Sequence, residues 1–156
     1  MPGTGDPDGS IPVAWYSGTT KEDLHTFLAQ DLDVLVMSLP LTPATTHLLG
    51  AAEFAILARR RAFVINISRG KILDQDALID ALNDEKLRGA ALDVTDPEPL
   101  PKDAPLWDAK NVIITPHISG LSNKYGERAF DVLFTNLKRR ERGEKMFNLV
   151  DRKRGY

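Results

Sequence analysis

Three residues in this 156-residue sequence have side chains suited to act as a set: Arg69, Glu98 and His117. In Asn66-Ile67-Ser68-Arg69-Gly70, the guanidinium can offer a forked cation to a carboxylate, and the glycine permits close backbone approach. In Asp93-Val94-Thr95-Asp96-Pro97-Glu98-Pro99, Glu98 lies between two prolines, which restrict the backbone and so could aim the side chain. Asp93 closes an apolar run, where a carboxylate needs partners, and could accept hydrogen bonds from a carboxamide. In Thr115-Pro116-His117-Ile118-Ser119-Gly120, the histidine follows an apolar run and a proline and precedes a glycine turn, which places it on rigid support. Taken singly, each has a plainer account: a surface arginine in a turn, a solvated acidic loop, a structural histidine. Together they supply an anion binder, a carboxylate and an acid–base group for one cleft. His25, in a helical segment beside Asp23 and expected to be exposed, and His47, after a threonine loop, receive no catalytic role.

The elements that must position these residues follow from periodicity. Asp33–Leu39, Ala62–Ile67, Gly89–Val94 and Asn111–Thr115 are short apolar runs of the kind found in strands covered on both faces, and Ile11–Tyr16 is a fifth candidate. Between them lie segments with helical spacing. One carries Leu24, Phe27 and Leu28 behind a capping box begun by Thr19 or Thr20; a second runs from Ala51 to Arg59; a third carries Leu78, Ile79 and Leu82 behind Asp74. A last helix, from Ser122 to about Arg142, puts Tyr125, Ala129, Val132, Leu133 and Leu137 on one stripe. This alternation predicts an α/β fold: a three-layer, Rossmann-like parallel sheet of about five strands with helices on both faces. Residues 1–10 read as a polar loop, 11–142 as the partial domain and 143–156 as a tail. In such sheets ligands sit beyond the carboxyl ends of the strands, which is where Ser38–Pro40, Ser68–Gly70, Asp93–Glu98 and Pro116–Gly120 fall.

Composition narrows the function classes. The net charge is −2, which gives no general drive toward nucleic acid or an anionic membrane. The basic stretches Lys138–Lys145 and Arg152–Arg154 are interleaved with glutamates in the first case and read as a solvated helix end. With no cysteine there is no disulfide or thiolate site, as fits a reducing, cytoplasmic setting. The three histidines lack metal-ligand spacing, and no apolar run approaches the ~20 residues that span a bilayer. The start is rich in Gly, Pro and Asp, unlike an export signal, and Arg154-Gly155-Tyr156 is not a peroxisomal address.

The order of motifs resembles the D-isomer-specific 2-hydroxyacid dehydrogenase family. The pieces that carry the resemblance are Leu39-Pro-Leu-Thr-Pro-Ala-Thr45, Asn66–Gly70, the stretch from Gly89 to Pro101, and Thr115–Gly120. The resemblance implies a nicotinamide cofactor, NAD or NADP, and a small 2-hydroxy or 2-keto acid substrate such as glyoxylate or hydroxypyruvate. Arg69 would bind the substrate carboxylate and polarise the keto oxygen. His117 would give that oxygen a proton in reduction and remove it in oxidation, with Glu98 beside it favouring the protonated ring. Asp93 and the backbone near Ser68 would hold the nicotinamide carboxamide, and Pro40, Thr45 and Gly120 would line the cofactor with them. A homodimer through the cofactor domain is also implied.

The family's G-x-G-x-x-G turn has no counterpart here. Gly3-Thr4-Gly5-Asp6-Pro7-Asp8-Gly9 has no strand before it, and its proline and acidic residues make a poor pyrophosphate cradle. The chain is therefore expected to be a family member cut after the second strand of its cofactor domain, with little turnover alone. A nicotinamide-sensing or dimerisation module without catalysis is the alternative.

Overall fold

The structure, a computed structural model, describes residues 5, 6 and 8–152; the expectations for Met1–Thr4, Pro7 and Lys153–Tyr156 fall outside the described residues. Among the described residues are four strands, β1 (Val34–Met37), β2 (Phe63–Asn66), β3 (Gly89–Leu92) and β4 (Val112–Ile114), and four α-helices, α1 (Lys21–Leu28), α2 (Ala51–Leu57), α3 (Gln75–Asn83) and α4 (Tyr125–Glu141). The strands form one parallel sheet in the order β1-β2-β3-β4, with Met37, Asn66 and Leu92 in register at the carboxyl end.

Local chemistry sets the element boundaries. Thr20 caps α1 by accepting from the Asp23 amide, and the Asp23 carboxylate returns the bond to the Thr20 amide. Asp74 caps α3 by accepting from the Ala77 amide at 3.1 Å. α2 continues into a short 3₁₀ turn, Ala58–Arg60, and stops where Arg61 turns left-handed.

Alternate strand residues bury Leu35, Met37, Val64 and Leu92 against Leu28, Phe54, Leu57, Leu78 and Leu82 from α1, α2 and α3. Each of these large side chains, fully withdrawn from water, contributes about 1.5–3 kcal/mol.

The Rossmann-like α/β architecture is as expected, but two features differ. Ile11–Tyr16 forms no strand: Ile11, Val13 and Trp15 lie exposed, and among the described residues β1 pairs with β2 alone. An apolar run becomes a strand only when a neighbour supplies its hydrogen bonds. The sheet is also covered on one face only, with the expected second helical layer unseated. Val34, Val36 and Ile113 of the opposite face remain exposed, as do Tyr125, Leu133 and Leu137 of the apolar stripe of α4 and its Phe130 and Phe134. Helix α4 instead holds the segment after it, since Asn136 exchanges two hydrogen bonds with the Phe147 backbone and the Arg139 guanidinium lies 4.5 Å from the Phe147 ring centroid. No helix among the described residues is long and apolar enough to cross a membrane.

Candidate active site

The carboxyl ends of the strands carry three adjoining loops, and the backbone builds each around a buried polar side chain. After β2, the fully buried Asn66 folds over the turn that follows it. Its Oδ1 accepts from the Ser68 amide at 3.0 Å and from the Ser68 hydroxyl at 2.8 Å, and its Nδ2 donates to the Arg69 carbonyl at 3.0 Å. Arg69 itself is exposed; its Nη1 donates to the Ser68 carbonyl at 2.6 Å, leaving the other guanidinium donors free for a carboxylate. Gly70 is where the next loop comes closest: a Cβ there would lie 2.0 Å from the Thr95 carbonyl oxygen. The expected close approach is therefore to another loop of the protein, and only glycine permits it.

After β3, Asp93 is buried, and its carboxylate accepts three hydrogen bonds. Oδ1 receives the Thr115 hydroxyl at 2.6 Å and the Ile118 amide at 2.9 Å; Oδ2 receives the Ser119 amide at 2.8 Å. Burial alone would push the carboxyl up, but the Ser119 and Thr115 side chains, with the Ile118 and Ser119 amides, outweigh it and hold Asp93 well below the usual carboxylate range. The Asp93 carbonyl also accepts from the His117 amide at 2.9 Å. His117 is thus pinned at its own amide and at the two amides after it, which sustains a left-handed φ of 54° that costs a residue with a side chain about 1–3 kcal/mol.

Glu98 and His117, nineteen residues apart in sequence, meet here: Nδ1 of the imidazole and Oε1 of Glu98 are 2.8 Å apart. Both side chains are partly open, at 46% exposure for His117 and 38% for Glu98. With Nδ1 engaged by the carboxylate, Nε2 is the ring atom left to face a reacting oxygen.

The remaining candidates lie on the same end of the sheet with different surroundings. The Thr45 hydroxyl donates to the Pro40 carbonyl at 2.8 Å and accepts from the Thr42 amide at 2.8 Å, closing the loop after β1. The Ser68 hydroxyl is spent on Asn66, so of its polar groups only the backbone oxygen faces the Arg69 side chain. Gly120 is exposed, and a Cβ there would meet nothing within 4 Å.

The nicotinamide end of a dinucleotide fits these residues. The Asp93 carboxylate, held ionised at the end of β3, is the acceptor in this cluster that a carboxamide N–H would meet. Beside it, Ile67, Ile113 and Ile118 form an apolar trough with Thr115 and Ser119 at its rim. A pyrophosphate cradle is another matter. Around Gly9 the turn closes on Asp6, whose carboxylate accepts from the Ser10 and Ile11 amides, and an anion there would repel phosphate. Among the described residues no group of three His, Asp or Glu side chains could hold a metal ion.

Sequence reasoning missed two features. The Asn66 side chain organises the turn that carries Arg69, a role its place in the Asn66–Gly70 motif does not announce. His25, expected beside Asp23 and exposed, instead meets the buried Glu53 of α2, with Nε2 2.7 Å from Oε1. Glu53 also accepts from the Gly50 amide at 2.9 Å and faces Lys21 at 3.4 Å. Burial raises its pKa, but His25, Gly50 and Lys21 bring it down to about 2.

Comparison with known proteins identifies the family. Residues 10–119 match the model of the D-isomer specific 2-hydroxyacid dehydrogenase NAD binding domain. The chain is 41% identical over 135 residues to glyoxylate/hydroxypyruvate reductase A of Citrobacter koseri, covering 86% of this chain and 42% of that protein. It is 37% identical over 146 residues to D-3-phosphoglycerate dehydrogenase of Methanocaldococcus jannaschii, covering 94% and 28%. A D-isomer specific 2-hydroxyacid dehydrogenase from Xanthobacter autotrophicus, solved with NADPH and MES, superposes with a TM-score of 0.77 at 41% identity, over 86% of this chain and 54% of that one. The chain thus spans about half, or less, of the length of these relatives. Both the matched residues and the strand-end loops place it in the D-isomer specific 2-hydroxyacid dehydrogenase family, as a NAD binding domain of that family.

Proposed function

We propose that this chain carries the substrate-handling half of a dehydrogenase site that moves hydride between NAD or NADP and a small 2-hydroxy or 2-keto acid of the glyoxylate or hydroxypyruvate kind, in a reducing, cytoplasmic setting. The observation that carries this reading is the Glu98–His117 pair at 2.8 Å, held at the carboxyl end of a parallel sheet. The nicotinamide supplies or accepts the hydride. The protein's own residues do the rest. Arg69 holds the substrate carboxylate through its free N–H groups and orients the keto oxygen. His117 gives that oxygen a proton through Nε2 in reduction and takes it back in oxidation, while Glu98 fixes the ring through Nδ1. Asp93 accepts the carboxamide on its carboxylate, and Ser68, Gly120, Pro40 and Thr45 border the cofactor.

Glyoxylate with NADPH, added to the isotopically labelled chain, is expected to move the nuclear magnetic resonance signals of Arg69 and His117 together. Signals unmoved at both residues would refute the reading. Because no phosphate cradle exists among the described residues, the chain alone is expected to reduce glyoxylate little or not at all. A measurable rate abolished by His117→Ala would show instead that these loops suffice.

One observation favours an assembly role as well. The open sheet face leaves Val36 and Ile113 in water and α4 leaves Phe130 and Phe134 there, apolar surface of the kind that interfaces cover. A homodimer is the expected outcome, and sedimentation of a clean monomer at micromolar concentration would reject it.

A further inference from the structure

We propose that Asn66 is the positioning residue for Arg69: its buried side chain sets where the guanidinium stands and hence how tightly a carboxylate binds there. The inference rests on the reading of Arg69 as the carboxylate anchor.

The argument starts from hydrogen-bond accounting. Asn66 ends β2 with its side chain fully buried, where an amide without partners would cost about 1–3 kcal/mol. Its three partners are not scattered through the core: all lie in the two residues Ser68 and Arg69. Oδ1 takes the amide and the hydroxyl of Ser68, and Nδ2 takes the carbonyl of Arg69, so the amide plane spans the turn and holds it at both ends. Arg69 stands in extended backbone, φ −146° and ψ 142°, the conformation these bonds enforce. The Asn66 carbonyl meanwhile accepts from the Asp93 amide at 2.9 Å, tying the turn to the loop that pins His117. One residue, through its side chain on one side and its main-chain carbonyl on the other, therefore joins the anion-binding turn to the loop of the acid–base group.

Asn66 holds Arg69 by donating to its carbonyl and touches no part of the guanidinium. Asn66→Asp keeps the shape and both acceptor bonds to Ser68 but turns a lone pair toward the Arg69 carbonyl. The test uses the full chain, with oxamate as an unreactive 2-keto acid mimic, and follows the Arg69 Nε–H signal by nuclear magnetic resonance. In the unaltered chain oxamate is expected to move that signal, and Arg69→Ala to abolish binding. In Asn66→Asp the oxamate dissociation constant is expected to rise about tenfold, while the His117 ring signals, which report the Glu98 contact, stay unchanged. A loss confined to general stability would move both sets of signals. Should Asn66→Asp not fold, Ser68→Ala removes one bond to the same amide and is expected to weaken oxamate binding in the same direction. Unchanged affinity in the folded variant, with binding still dependent on Arg69, overturns this inference and leaves the proposed function standing. No response at Arg69 in the unaltered chain overturns both.

Discussion

Glu53 in the helical layer and Asp93 at the strand ends are both carboxylates taken out of water, and they are stabilised by opposite means. Glu53 has a cation and a ring partner: Lys21 at 3.4 Å and the His25 imidazole at 2.7 Å, with the Gly50 amide completing the set. Its charge joins two helices, α1 and α2. Asp93 is held by neutral donors: the Ile118 and Ser119 amides with the Thr115 and Ser119 side chains, all from residues 115–119. Neutral donors fixed in a loop can stabilise an anion without cancelling its charge. The difference teaches where the charge is used. At Glu53 it is spent inside the scaffold, whereas at Asp93 it organises the His117 loop and leaves a negative site beside the place proposed for the nicotinamide.

Acidification is expected to act most strongly on this pair, because it reaches both members. Each carboxyl sits below its ordinary value in the folded chain, so each contributes stability that is fully present above about pH 5 and lost as the pH falls. Glu53 gives up its share on the way to about pH 2, while Asp93 keeps its share further down. Amide exchange on lowering the pH should therefore free α1 before it frees Ile118 and Ser119; the reverse order would break the distinction drawn here.

Substitution should separate the two more finely. Asp93→Asn turns an amide donor toward backbone N–H groups and is expected to cost about 3 kcal/mol in urea unfolding, with loss of the Glu98–His117 contact. Glu53→Gln leaves one of its donors facing a donor and is expected to cost about 2 kcal/mol, with His117 undisturbed. If Glu53→Gln disturbed His117 as much as Asp93→Asn does, the two carboxylates would be parts of one network rather than separate devices.

Much of the scaffold is legible in the order of residues. Asp33–Leu39, Ala62–Ile67, Gly89–Val94 and Asn111–Thr115 each contain the strand expected of them, because a buried strand needs a continuous apolar run and little else does. The caps at Thr20 and Asp74 are legible for the same reason: the donor and acceptor lie within three residues. Ile11–Tyr16 shows the limit. It has the composition of a strand, but pairing depends on what lies beside it, and composition says nothing of that. The partnership of His25 with Glu53 spans 28 residues and crosses two helices, so no local pattern announces it.

At the site, local sequence determined which side chains stand at the carboxyl ends of strands: Arg69, Asp93 and His117 each follow within three residues of one. It also determined the Asn66 turn, since all its partners come from the next three residues. Only the tertiary structure decided that Gly70 would press on Thr95, that Asp93 would bind the loop around His117, and that Glu98 would reach the His117 ring. Those contacts exist because parallel register brings the ends of β2, β3 and β4 side by side, and register is a property of paired strands that no single strand contains.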